Sequence, residues 1–118
     1  DGLKSALGKV LPPQCVLSNP LDLTGDARAD RYRDAFQVLG EDGSFDILLV
    51  IFGDPIPGAY EVTEGFRKKT KAAVIASYLG GGEAQEVEVA LMNANRMPVY
   101  PTPERAVKAV RAVLGLLQ

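Results

Sequence analysis

The chain contains no histidine and no tryptophan among its 118 residues. Without an imidazole, the chain alone cannot form a His–Cys zinc site, a Ser–His–Asp triad or a Cys–His pair. Its single cysteine, Cys15, has no partner for an internal disulfide and no histidine to act as its base, so we interpret it as a small packing residue. Chemistry performed by this chain alone would therefore depend on carboxylates, lysines or tyrosines.

Long apolar runs and an excess of one charge are also missing. No apolar run approaches the ~20 residues that cross a bilayer, and no charged start followed by an apolar stretch indicates a signal peptide. The formal charge is −2, so nucleic acid or an anionic membrane would need a local basic patch. The basic cluster at 67–71 is expected in the last turn of a helix, where cations face the negative end of the dipole. We therefore predict a cytoplasmic, single-domain protein with neither nucleic acid nor membrane as a partner.

The stretch 45–60, FDILLVIFGDPIPGAY, organises the rest of the chain. Its apolar run, Ile47–Phe52, is typical of a strand that is covered on both faces of a parallel sheet. Gly53, Asp54 and Pro55 end this strand, and a helix is predicted to follow. In open parallel sheets, ligands bind at such junctions, off the carboxyl ends of the strands.

Strands alternate with helices along the rest of the chain. We predict a leading helix at 1–11, strands at 21–24, 47–52, 72–79 and 97–100, and helices at 26–40, 59–71, 83–95 and from 103 onward. Helices of about 10–15 residues between strands are typical of parallel strands joined by right-handed crossovers. The predicted fold is therefore α/β, with an open parallel sheet in three layers.

Capping chemistry and apolar spacing predict how individual helices begin and which side they bury. Asp26 is the expected N-cap of the second main helix, because its carboxylate can accept hydrogen bonds from free first-turn amides. Thr102, Pro103 and Glu104 are typical of a helix start, with a cap, a proline at the first position and an acid in the first turn. The residues expected to face inward are Ala84, Val87, Leu91 and Ala94 in one helix and Ala106, Val110, Val113, Leu114 and Leu117 in the last.

Three glycine-containing turns are predicted at the carboxyl edge of the sheet. They are Thr24-Gly25-Asp26, Gly53-Asp54-Pro55 and Gly80-Gly81-Gly82. Each feeds a helix N-terminus, so their free N–H groups could be aimed at an anion. Turns from strand to helix also need glycine for steric reasons alone, so the spacing leaves both interpretations open. The fingerprints GxGxxG and GxxxxGK[ST] are absent, and Asp54 and Glu83 would repel a phosphate.

Four segments, in this order and spacing, resemble the NDP-forming acyl-CoA synthetases: NPLDLTGDARADRYRDAF, FDILLVIFGD, LGGGEA and MPVYPTPERAVKAV. These are the ADP-forming acetyl-CoA synthetases, relatives of succinyl-CoA ligase, and the resemblance extends from about Leu11 to Leu117. The matching part is the second flavodoxin-like, CoA-ligase domain, the counterpart of the carboxyl-terminal domain of the succinyl-CoA ligase β subunit. The resemblance therefore implies a flavodoxin-like, succinyl-CoA ligase-like sheet.

The resemblance also implies a non-catalytic role in an enzyme that converts acid, CoA and ATP to acyl-CoA, ADP and phosphate through a phosphohistidine. In such enzymes the histidine lies in a neighbouring flavodoxin-like domain and an ATP-grasp domain handles the nucleotide, so both are expected partners. CoA, ATP or ADP, and Mg are expected cofactors of the whole enzyme, with none bound by this segment, and no catalytic or metal-binding residue is assigned. The turn that faces the phosphohistidine matches Gly53, Asp54, Pro55 and Ile56, where helix amides would point at the anion.

Two features depart from this family pattern. The succinyl-CoA ligase turn has two glycines where this chain has Gly53-Asp54, so the approach of amides to a phosphate is less free. Such domains also usually begin with a further strand and a glycine-rich turn, so we expect residues 1–118 to form a truncated domain that lacks its first strand. A sheet edge left open in this way could pair with a second copy, which makes a homo-oligomer an expected partner.

Two other functions stay open. Some protein acetyltransferases resemble a degenerate acyl-CoA synthetase fused to an acyltransferase domain, so the chain could be a regulatory domain of such a protein. An independent enzyme would have to use Asp22, Asp26 and Asp54, with or without a metal, although carboxylates at helix starts are usually caps. Because the chain has no histidine, we expect it to synthesise no acyl-CoA on its own.

Overall fold

A computed structural model describes residues 2–116 of the chain. Their helices and strands are α1 (Gly2–Val10), α2 (Ala29–Glu41), β1 (Ile47–Phe52), α3 (Ala59–Arg67), β2 (Ala73–Tyr78), α4 (Glu83–Ala94), β3 (Val99–Tyr100) and α5 (Pro103–Leu116). No helix in this range is both long enough and apolar enough to span a bilayer.

The strands form one parallel sheet in the order β1-β2-β3. β1 and β2 pair along their whole length, from Ile47 beside Ala73 to Phe52 beside Tyr78. Helices α2, α3 and α4 contact one another in series, whereas α5 packs on β2 and β3. The predicted α/β fold with an open parallel sheet is confirmed.

The main core lies where α2, α3 and α4 pack on β1 and β2. Aromatic rings connect these elements: Phe36 stacks on Phe66 with ring centres 4.8 Å apart, and Phe52 lies 5.2 Å from Tyr78. A second apolar cluster joins α1 to α2 and includes Cys15. Cys15 is buried and has no disulfide, in agreement with its interpretation as a packing residue.

The prediction of a strand at 21–24 is wrong. Only an isolated antiparallel bridge forms there, between Asp22 and Val16. Thr24 adopts a left-handed conformation with φ of 73°, which a β-strand cannot contain. Leu21 packs against the core, but it does so from a loop. In the described chain the sheet therefore has three strands rather than four.

Two predicted helix boundaries also need correction. The N-cap of α2 is Arg28, without a side-chain hydrogen bond, so Asp26 does not cap this helix. Helix α3 ends at Arg67 rather than at 71, which leaves most of the basic cluster beyond the helix. Arg67 itself pairs with Glu64 at 2.9 Å. The start of α5 is confirmed, since the amide of Arg105 donates to the Thr102 hydroxyl at 3.2 Å.

The inward faces of α4 and α5 differ from the prediction. In α4, Val87 and Leu91 are 56% and 40% exposed, whereas Glu88 and Met92 are buried. Ala84 is half-buried and Ala94 is exposed, so α4 presents a face rotated by about one residue from the expected one. In α5 only Ala106 is fully covered; Val110 is half-buried, Val113 and Leu114 are exposed, and Leu117 lies outside the described residues.

Candidate functional site at the carboxyl edge of the sheet

The structure brings the three predicted turns together at one edge. Gly53 and Gly80 follow the ends of β1 and β2, whose carboxyl ends share this edge. A Cβ at Gly80 would lie only 3.2 Å from atoms of Pro55, closer than an ordinary contact, so glycine lets this turn pack tightly against the turn after β1. Gly82, just before α4, has a left-handed φ of 98°. A Cβ at Gly81 or at Gly82 would meet no atom within 4 Å.

The loop before α2 faces the turn after β1 across an open groove of about 440 Å³. The groove is lined by Gly25, Asp26, Ala27, Arg28, Ala29 and Asp30 on one side and by Asp54, Pro55, Ile56 and Pro57 on the other. Two of the three predicted turns therefore form its walls. We refer to this feature as the carboxyl-edge groove.

Arg31 of α2 holds the first wall in place. Its guanidinium donates to the Leu23 carbonyl at 2.9 Å, to the Thr24 hydroxyl at 2.9 Å and to the Asp26 carboxylate at 2.7 Å. The Thr24 hydroxyl also donates to the Asp26 carboxylate. The hydrogen bond from Arg31, followed by that from Thr24, lowers the pKa of Asp26 to about 2. Asp26 is thus committed to an ion pair rather than to a helix cap.

Tyr78 of β2 holds the start of the second wall. Its hydroxyl accepts a hydrogen bond from the Ile56 amide at 2.5 Å and lies 3.4 Å from the Ile56 carbonyl. Burial raises the pKa of Tyr78, while the backbone hydrogen bond from Ile56 opposes that shift and the charge of Glu88 adds to it. The phenol therefore stays neutral and can both donate and accept.

Glu88 of α4 binds the start of α3, directly after the second wall, and it was not among the residues predicted from the sequence. Its carboxylate oxygens accept hydrogen bonds from the amides of Tyr60 at 2.7 Å and Gly58 at 3.3 Å. Glu88 is only 7% exposed, and its oxygens meet the N-terminus of α3. The sequence held only a weak indication that Glu88 is buried: it lies between Val87 and Val89 in an otherwise apolar stretch.

The carboxyl-edge groove is acidic. The negative charge of Asp26 is neutralised by its ion pair with Arg31. The remaining charged residues of the lining are two acids, Asp30 and Asp54, and one base, Arg28. The carboxylate of Asp22 accepts from the Thr24 amide at 2.8 Å, a local turn contact. Within residues 2–116 no three acidic or cysteine side chains cluster closely enough to hold a metal ion. The three aspartates considered for an independent metal-dependent enzyme thus do not form such a group.

Comparison with known proteins identifies relatives of this chain, although no protein-family model matches it. The ADP-forming acetate–CoA ligase I of Archaeoglobus fulgidus is 33% identical over 113 residues, which cover 92% of this chain and 15% of that protein. The alpha subunit of ADP-forming acetate–CoA ligase I of Pyrococcus furiosus is 31% identical over 109 residues, covering 87% of this chain and 23% of the subunit.

A solved structure agrees with these relatives. The acetyl-coenzyme A synthetase 1 of Ca. Korarchaeum cryptofilum, described as dinucleotide-forming and solved in its apo form, is 27% identical with a TM-score of 0.76. The match covers 88% of this chain and 24% of that one. This chain thus spans at most about a quarter of the length of these relatives. It is a homologue of one segment of the ADP-forming acetate–CoA ligases and acetyl-CoA synthetases, and it has the fold of that segment.

Proposed function

We propose that the chain is a non-catalytic domain of an ADP-forming acyl-CoA synthetase and that it presents the turn Gly53–Ile56 to a phosphohistidine of a neighbouring domain. The enzyme as a whole would convert acid, CoA and ATP to acyl-CoA, ADP and phosphate. CoA, the nucleotide and Mg would be handled by the other domains, including an ATP-grasp domain. The partners of the carboxyl-edge groove would then be the other domains or subunits of the synthetase.

The observation that supports this proposal most directly is the position of the turn. Gly53 follows the end of β1, the next three residues of the turn line the carboxyl-edge groove, and α3 starts shortly after them, at Ala59. The homologous segment belongs to proteins named as acetate–CoA ligases, which favours a synthetase over a protein acetyltransferase. Because this chain has no histidine, the phosphorylated side chain would have to come from elsewhere.

The charge of the groove supports a bound partner rather than a captured ion. Asp30 and Asp54 exceed the single unpaired cation among the lining residues, Arg28, so free phosphate is repelled from the groove. A phosphoryl group attached to another domain is different, because the contacts that dock that domain would offset this repulsion and position the group. The turn would then contribute shape and backbone dipoles at a fixed distance.

Gly53→Val tests the proposal without disturbing the fold. No atom lies within 4 Å of a Cβ built at Gly53, and its φ is not left-handed, so a side chain fits but projects from the turn. Gly43 is a matched control, because it has the same free space but lies in the loop before β1, at the amino edge of the sheet. Both valine variants should therefore unfold at nearly the same temperature as the wild type.

The assay uses the Pyrococcus furiosus alpha subunit with its matching segment replaced by this chain, assembled into its ligase. We expect this hybrid to form acetyl-CoA and ADP, and Gly53→Val to lower both the rate and the acid-labile histidine phosphorylation by on the order of a hundredfold, as for a small misplacement of reacting groups. Gly43→Val should leave both unchanged. An assembled, folded hybrid that is inactive, or a Gly53→Val hybrid of full activity, would contradict the proposal.

A further inference from the structure

We infer that Glu88 is a positioning residue, whose carboxylate occupies the N-terminus of α3 from inside the domain and fixes the turn Gly53–Ile56 in place. The inference rests on the proposed function, since it explains what sets the geometry of the turn offered to the neighbouring domain. Glu88 lies 28 and 30 positions from the two residues whose amides it binds, so α4 imposes this contact on α3 from outside it.

The local sequence of α3 cannot cap its own N-terminus. The N-cap residue is Gly58, with a left-handed φ of 88° and no side chain to accept a hydrogen bond. Glu88 substitutes for the missing cap through its bonds to the amides of Gly58 and Tyr60. A carboxylate that is only 7% exposed would be costly to bury alone, but two N–H donors and the positive end of the helix dipole stabilise it.

The same strand–helix unit holds the turn at two further points. Tyr78 binds the backbone of Ile56, and Gly80 packs directly against Pro55. Glu88, Tyr78 and Gly80 all belong to β2, α4 or the turn between them. The turn after β1 is therefore held against the next β–α unit by contacts at Ile56 and Pro55.

This arrangement specifies which part of the edge is available to an anion. The amides of Gly58 and Tyr60 already meet a carboxylate, and the amide of Ile56 already meets Tyr78. A phosphoryl group brought by a partner would thus contact the turn ahead of the helix, at Gly53, rather than the first-turn amides of α3. Glu88 acts on that contact through the backbone it holds.

The first test measures occupancy of the helix terminus in the chain itself, by NMR. Inorganic phosphate titrated over the millimolar range should leave the Gly58 and Tyr60 amide resonances of the wild type unmoved. In Glu88→Gln we expect these two amides to exchange with solvent roughly tenfold faster, in line with weakened charge-assisted hydrogen bonds. In Glu88→Ala they should begin to respond to phosphate, because the internal anion is gone.

Glu86→Gln is the matched control, since Glu86 is an exposed acid in the first turn of the same helix. It should change neither exchange nor the phosphate response. A wild-type chain whose Gly58 and Tyr60 amides respond to phosphate would overturn the inference even if the Glu88 variants do not fold. So would a folded Glu88→Gln variant with unchanged protection of both amides.

The second test separates positioning from mere stability in the hybrid ligase. We expect Glu88→Gln to lower kcat by about tenfold while the KM for acetate stays the same, because the turn shifts but the acyl site is elsewhere. Glu88→Asp should retain more of the wild-type kcat than Glu88→Gln, and Glu86→Gln should leave kcat unchanged. Suppose that Glu88→Gln exposes the Gly58 and Tyr60 amides to exchange but keeps the full kcat, while Gly53→Val is inactive. The inference that Glu88 positions the turn would then be wrong, and the proposed function would stand.

Discussion

At the scale of single residues, the pair Arg31–Asp26 shows how one cation shapes a functional edge. The Arg31 guanidinium reaches three acceptors in the loop before α2, at Leu23, Thr24 and Asp26. Those bonds hold Thr24 in a left-handed conformation that costs of order 1–3 kcal/mol for a residue other than glycine. Backbone strain of this kind is concentrated at functional sites, and here it lies beside the carboxyl-edge groove.

The depressed pKa of Asp26 gives this pair a definite pH dependence. The folded-state pKa is about 2, below the ordinary value of 3.8, so the pair stabilises the fold above about pH 4 and this contribution is lost as the pH falls through about 2. The wild type should therefore unfold at a higher temperature than Asp26→Asn near neutral pH. This difference in unfolding temperature should disappear as the pH falls from about 4 to about 2. Asp34→Asn, at an exposed position of α2, is the control and should show no such closing gap.

The sequence indicates that Asp26 matters, but it does not indicate how. An aspartate after Thr24-Gly25 fits a helix cap, and only the tertiary structure brings the Arg31 guanidinium onto its carboxylate. Glu88 was beyond sequence reasoning for a related reason: its hydrogen-bond partners are backbone amides far along the chain, so no local pattern contains them. Glycine turns, in contrast, are local: Gly53 and Gly80 do follow β1 and β2, whereas Gly25 borders the same groove without a strand before it.

At the scale of elements, α3 depends on a glycine at its start and tolerates a poor residue in its middle. Gly58 has a left-handed φ of 88°, and a Cβ there would lie 3.4 Å from the Cβ of Ala29. Gly65 lies within the helix at an exposed position, with no atom near a Cβ. The two glycines of one element are therefore present for opposite physical reasons.

Alanine at each position should change stability with opposite sign. Gly58→Ala should destabilise the fold by about 1–2 kcal/mol, because a side chain disfavours the left-handed conformation. Gly65→Ala should stabilise it by about 0.5–1 kcal/mol, because alanine loses less backbone entropy in a helix. Urea unfolding monitored by circular dichroism gives both values. Equal effects of the two substitutions would show that the helix start is not built as described.

Helix α4 shows where pattern reading fails for a whole element. Val87 and Leu91 were expected inside but are exposed, whereas Glu88 is buried against the start of α3. Met92, four positions after Glu88, then enters the core on the same face. The side that α4 buries therefore combines a hydrogen-bonding acid with Met92 and Val89, and apolar spacing alone does not indicate it.

At the scale of the whole molecule, the β–α alternation was predictable because each strand is a mainly apolar run that is followed within two residues by glycine or proline. Ile47–Phe52 was predicted at its observed bounds, and the strand at 73–78 within a residue at each end. The strand expected at 21–24 could not be judged in this way, because a strand exists only where a neighbour supplies its hydrogen bonds. In the described residues that segment pairs only with Val16, at a single bridge.

The resulting sheet has β1 at one edge, and this edge strand lacks the usual protection. It has no charge, no proline and no bulge over its whole length, ILLVIF. Val50 and Phe52 belong to the core, whereas Ile47 and Ile51 are 37% and 42% exposed, so the expectation that this strand is covered on both faces is wrong. Such an edge is a template for pairing with another strand, which gives the expected homo-oligomer a physical basis.

We therefore expect the chain to self-associate with rising concentration and Ile51→Lys to reduce that association. Lysine on an edge strand carries a charge that a second strand would have to bury, while the folded monomer keeps it in solvent. Sedimentation velocity over a range of concentrations measures the change, and Val87→Lys, at a 56% exposed position of α4, is the control. A wild type that stays monomeric would contradict this expectation. If Val87→Lys reduced self-association as much as Ile51→Lys, the contact between copies would instead involve the helices, because Val87 lies in α4.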